Sequence, residues 1–174
     1  MIIPVLGTFD YEWLTFIIRY LHVVSAVMWI GLLWYLNFVQ MFAAPAMPAE
    51  LRPAIGGHIL PRVLFWFRWG AMFTLIFGLL LSIMNGYFSD AVIIGLGSGV
   101  AKHAAIGIGM WLGTIMWFNV WFVIWPAQKI VMGQVEADDA GKAAAARRAM
   151  LFSRANTLMS IPMLYAMIAA QNIY

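Results

Sequence analysis

Four long stretches of the chain carry no Asp, Glu, Lys or Arg: residues 20–49, 69–89, 103–128 and 155–174. Each reaches the roughly 20 residues that an α-helix needs to cross the hydrocarbon core of a bilayer. They are too long for transmembrane strands, and they lack the strict alternation of a lipid-facing barrel. The pattern predicts four spans, near residues 13–38, 62–86, 101–126 and 152–172, in a single domain covering 1–174. The expected fold class is all-α: an integral membrane protein built as a four-helix transmembrane bundle.

Punctuation residues mark the ends. Pro45, Pro48 and Pro53 break the chain after the first span, with Gly56 and Gly57 following. Pro61 suits the first turn of the second helix, where its missing N–H costs nothing, and Asn85-Gly86 ends that helix. Pro126 is expected to stop the third helix and Pro162 to kink the fourth. Residues 91–100, with Gly95, Gly97 and Gly99, read as an apolar, flexible segment at the interface or a short re-entrant piece. Before the fourth span, Glu136, Asp138 and Asp139 precede Lys142, an alanine run and Arg147-Arg148. Acid before base suits a helix dipole, so a solvated cytoplasmic helix is expected to lead into that span.

Composition agrees with the pattern. Of 174 residues, 64% are hydrophobic and 10% charged, against about 25% charged in a soluble domain. So few charges cannot cover a water-facing surface, and such high hydrophobicity excludes intrinsic disorder. The absence of cysteine excludes disulfides, iron–sulfur clusters and covalently attached c-type haem within this sequence. The net charge of +3 reflects membrane topology rather than nucleic-acid binding. Arg52 and Arg62 lie in the first loop, and Lys129, Lys142, Arg147 and Arg148 in the third, while the second loop has at most Lys102. This asymmetry predicts N-out and C-out termini, with loops one and three in the cytoplasm. The first residues, Met1 to Pro4, have no basic lead, so no signal peptide is expected.

Polar groups at membrane depth need a reason. Arg19 and His22 are three residues apart and share one helix face, followed by Ser25, Ala26 and Trp29. His103 opens the third span on the same outer side, above Gly107, Met110, Thr114 and Trp117. Two histidines on separate helices in one leaflet are what bis-His ligation of a b-type haem requires, with Gly107 leaving room and Arg19 on a propionate. The competing reading makes His22 or His103 a donor to a carbonyl or to Ser25, and lets Arg19 snorkel to the headgroups. A two-histidine metal site fits poorly, because no carboxylate lies near either histidine within a span. His58 reads as interfacial, and Arg68 as snorkelling or as holding a lipid or quinone headgroup. Asn37, Asn119 and Asn156 read as glue between helices, and Gly109 to Gly113 as a GxxxG packing pattern.

Taken together these blocks resemble the membrane domain of bacterial membrane-bound urate hydroxylases, the urate oxidase N-terminal family. The resemblance lies in Arg19-Tyr20-Leu21-His22 running to Trp29-Ile30-Gly31, and in His58-Ile59-Leu60-Pro61-Arg62 with Phe65-Trp66-Phe67-Arg68-Trp69-Gly70-Ala71. It continues in Asn119-Val120-Trp121, Ile124-Trp125-Pro126 and Gln128-Lys129, and in Arg147-Arg148-Ala149 through Ser153-Arg154-Ala155-Asn156-Thr157-Leu158 to Pro162-Met163. It implies a short form without the C-terminal cytochrome c module of longer members. It also implies a membrane redox subunit that passes electrons to a periplasmic cytochrome c through haem b on His22 and His103. Two further functions compete: an accessory subunit packed on other membrane subunits or on copies of itself, and urate hydroxylation by this chain.

Overall fold

A computed structural model describes residues 10–174; the expectation about a signal peptide concerns residues outside these. The described chain is helical, with no strand. It comprises α1 (Tyr11–Ala46), α2 (Arg52–Met84), a short α3 (Phe88–Val92), α4 (Ala101–Val131) and α5 (Asp139–Asn172). Helices α1, α2 and α4 are each long and apolar enough to cross a membrane, so the chain has the make-up of a multi-pass membrane protein.

The four long helices run up and down. At one end, here the Tyr11 end, the Tyr11 hydroxyl donates to the Met84 carbonyl, tying the start of α1 to the finish of α2. Halfway along, Gly70 lets the α2 backbone approach α1, where a Cβ would lie 3.2 Å from the Trp29 nitrogen. Asparagines join the other helices. Asn119 donates to Asn156 Oδ1 at 2.8 Å, Asn156 donates to the Met116 carbonyl at 2.9 Å, and Asn37 donates to Ser153 at 2.8 Å. Trp34 Nε1 adds a bond to Ser160 at 2.9 Å. Asn37 also donates to the Leu33 carbonyl of its own helix at 2.9 Å, but each bond that crosses between helices fixes a register. These are the helix-joining roles expected of all three asparagines.

Prolines act more mildly than expected. The third helix continues through Pro126 to Val131, because a π-helical turn at Asn119–Ile124 precedes the proline. Widening the turn relieves the clash between the ring and the preceding carbonyl, and re-aims the side chains that follow. The first helix likewise runs through a π-turn at Tyr35–Gln40 and past Pro45. Asn85-Gly86 does end α2: Gly86 takes φ 73°, and the Tyr87 nitrogen donates back to the Ser82 carbonyl at 3.2 Å. The fourth helix is continuous from its cap, where Asp138 accepts from the Gly141 nitrogen at 2.7 Å. Its alanine run is more than a solvated connector, since Ala145 and Ala149 are buried against the core that includes Ala127. Small side chains let α5 dock closely there.

Candidate functional site

His22 lies on the α1 face turned to α2. Its Nδ1 is 2.9 Å from the Thr74 carbonyl, and its ring fills the space left by Gly78, where a Cβ would come within 2.8 Å of Cε1. Thr74 gives its hydroxyl to the Gly70 carbonyl, so the surrounding α2 turn is internally bonded. A backbone carbonyl accepts only, which makes Nδ1 the protonated nitrogen and leaves Nε2 the lone-pair nitrogen. The alternative reading of His22, as a donor to a neighbouring carbonyl, matches this geometry.

His103 is held differently. It stands on the first turn of α4, and its Nδ1 is 2.6 Å from the Asp90 carboxylate. The carboxylate also accepts from the Ser98 nitrogen at 3.0 Å and from the Ser98 hydroxyl. The Tyr87 ring stacks on the imidazole, with centroids 5.8 Å apart. Asp90 titrates below the ordinary carboxylate range, chiefly because Ser98 donates to its charged form and next because His103 does. Burial raises the Tyr87 phenol, while the positive charge of Arg19 pulls it the other way. Arg19 is exposed and borders a shallow pocket shared with Tyr11, Glu12, Thr15, Phe16 and Asn85.

The segment 87–100 is folded back to make this site. The Gly95 nitrogen donates to the Asp90 carbonyl at 2.8 Å, and Ile94 takes φ 56°. A β-branched residue in the left-handed region is strained, and such strain gathers at working sites. Gly107 serves the same fold: a Cβ there would overlap the Ala91 carbonyl oxygen. The volume that the sequence seemed to leave for a cofactor below His103 therefore holds the backbone of α3.

Tyr87 thus stacks on His103 and feels the positive charge of Arg19, whereas the His22 ring packs against α2 at Gly78. The His22 ring lies against Thr74 and Gly78 on α2, eight and four residues before Ser82, whose carbonyl accepts from the Tyr87 nitrogen. Each imidazole is held through Nδ1, His22 by the Thr74 carbonyl and His103 by the Asp90 carboxylate. Among the described residues no three His, Asp or Glu side chains form a metal-binding group.

The sequence reading missed Asp90, Ser98 and Tyr87. One signal was there: Asp90 is the single acidic residue between Glu50 and Glu136, and isolated charges near an apolar segment need partners. His58 lies on an exposed π-turn at the other end of α2, away from both histidines.

Compared with known proteins, no curated protein and no solved structure matches the chain. A family model does match, over residues 98–173. The model is that of the urate oxidase N-terminal family, and the stretch similar to it includes His103, the asparagine pair and all of α5.

Proposed function

We propose that the chain is a four-span domain of a bacterial inner membrane, N-out and C-out, and that it works in urate-hydroxylase-like redox chemistry at its Tyr11 end. The fourth span is the part of α5 after Arg154. Leu158, Ile161, Tyr165 and Ile168 leave an apolar stripe exposed there at helical spacing, as a lipid-facing surface requires. The Lys and Arg loops at the opposite end support an orientation with the Tyr11 end outside.

The observation that carries the reading is the 2.6 Å contact between Asp90 and His103. A carboxylate on Nδ1 fixes the tautomer, raises the basicity of Nε2 and stabilises the imidazolium that forms when Nε2 takes a proton. Urate is a planar anion at neutral pH. Arg19 supplies the opposite charge and the Tyr87–His103 stack a flat wall; water adds its oxygen to a urate carbon, one proton and two electrons are released, and His103 accepts the proton. The electrons leave to an acceptor on another chain or module, of the periplasmic cytochrome c kind. Contact with other membrane subunits, or with a second copy, brings that acceptor within reach.

Urate binding to the purified chain, measured by calorimetry in detergent, tests this reading. Wild type and His22→Ala should bind alike, while Arg19→Gln and His103→Ala should weaken binding about tenfold, the worth of one charge-assisted contact. An absence of urate binding, or binding untouched by Arg19→Gln and His103→Ala, would return the chain to the accessory-subunit reading.

A further inference from the structure

Arg68 is the one charged side chain on α2 between Arg62 and Met84, and among the described residues it has no hydrogen-bond or ion-pair partner. Its Nε is buried and unpaired. Three tryptophans surround the guanidinium, with Cζ 3.9 Å from the Trp125 ring centroid, 5.0 Å from that of Trp121 and 6.0 Å from that of Trp69. Trp69 is itself locked edge-on against Trp121, with centroids 5.6 Å apart. The rings cover the faces of the cation and compensate part of its charge. They offer nothing to its N–H edges, which are built for two oxygens of one anion. Trp117 Nε1 and Trp121 Nε1 on the facing stretch of α4 are also buried donors without acceptors. A guanidinium left with free donors in an apolar medium is costly, so the cluster is incomplete as it stands.

We propose that this cradle binds the phosphate of an anionic phospholipid in the leaflet at the Arg52 end. Depth supports a headgroup. Helical side chains lean toward the helix N-terminus, so Arg68 reaches toward the Arg52 end, to the level of Trp125. Trp125 in turn lies only six residues, about 9 Å of helix axis, before the end of α4 at Val131. The flanks support a lipid rather than a soluble anion. Phe65 and Phe73 on α2 and Phe118 and Phe122 on α4 are exposed on either side, forming apolar walls along which acyl chains lie. The Pro126 π-turn is what aims Trp121 and Trp125 together at α2, giving that widened turn a role. This site lies on the opposite half of the bundle from His103 and does not depend on the urate reading.

Native mass spectrometry of the full chain, with dioleoylphosphatidylglycerol or dioleoylphosphatidylcholine added in detergent, tests it. Wild type should retain phosphatidylglycerol about tenfold more strongly than phosphatidylcholine, and Arg68→Gln should remove that preference. Arg68→Lys should keep part of it, and Trp125→Phe should keep more than Trp125→Leu, since only the former preserves a ring over the cation. Unchanged helicity and elution volume show which variants are folded. Inorganic phosphate alone, at millimolar concentration, should not displace the lipid. Equal retention of both lipids by wild type, an unaltered preference in folded Arg68→Gln, or full displacement by inorganic phosphate would each overturn the proposal.

Discussion

His22 and His103 carry the same side chain and are held by the same ring nitrogen, yet the molecule uses them in different ways. His22 is set on the Thr74 carbonyl between two long helices, against a glycine that makes room for it. Its acceptor is neutral, fixed by the helix ladder and unable to titrate. His103 is set on Asp90, in a folded-back segment tied by Ser98 and stacked on Tyr87. That acceptor carries charge, sits near the bundle surface and belongs to a segment whose hold depends on a few polar bonds. Either acceptor fixes the tautomer and leaves Nε2 with its lone pair, but only a carboxylate also stabilises the imidazolium, which suits His103 to handle a proton in the proposed reading. Sequence position alone does not separate the two cases.

The comparison breaks most visibly at the two glycines that support these rings. Gly107→Ala sets a methyl group against the Ala91 carbonyl, which is backbone and cannot turn away. Gly78→Ala sets it against the His22 ring, 2.8 Å from Cε1, and a side chain can rotate. Denaturant titration in detergent should therefore show a loss of about 2–3 kcal/mol for the first and about 1 kcal/mol for the second. The reverse order would mean that the His22 contact is the more rigid of the two. His22→Ala should cost about 1–2 kcal/mol, for one buried hydrogen bond and the space left behind.

A smaller effect sharpens the electrostatic side. The pKa of Asp90 is lower folded than unfolded, so its bonds to Ser98 and His103 contribute stability above the unfolded carboxylate pKa. That contribution is lost as pH falls through the folded value, below the usual carboxylate range. The clasp is therefore closed at neutral pH and opens only in acid. Carboxyl carbon NMR should find the Asp90 midpoint depressed, with Ser98→Ala raising it more than His103→Asn, because the serine hydroxyl is the leading cause. An Asp90 midpoint at or above the ordinary value would contradict this. The smallest expected effect is on colour. If the two histidines have separate roles, no reduced-minus-oxidised band should depend on both. A low-spin b-type band lost in His22→Ala and also in His103→Ala would show that they share one iron.

Much of the architecture was legible because the bilayer imposes simple demands. Charge-free stretches of span length located all four long helices, Asn85-Gly86 gave the end of α2, and Asn37, Asn119 and Asn156 had no use other than joining helices. Proline was over-read at Pro126, since a π-turn absorbs it, and such turns have no short-range signature. The site was only half legible. Arg19 and His103 stood out as polar residues among apolar ones, and His103 stacks on Tyr87. Two histidines in one leaflet were legible, but not the acceptor that each one finds, the Thr74 carbonyl for His22 and Asp90 for His103. The difference came from segment 87–100, whose glycines read as flexibility but instead fold Asp90 onto the imidazole. Gly107 likewise looked like vacant volume, because a sequence shows a missing side chain but not the backbone that takes its place.

The central claim is that Asp90 and His103, not His22, form the working site. Urate loss followed by ultraviolet absorbance, in membranes holding the chain with cytochrome c as acceptor, tests it most directly. Removal of a positioned general base costs about 10²–10⁴ in rate. His103→Ala should therefore fall by that order, Asp90→Asn should fall with it and move the pH profile, and His22→Ala should stay within a few fold of wild type. Full activity in His103→Ala, or a collapse confined to His22→Ala, would contradict the account.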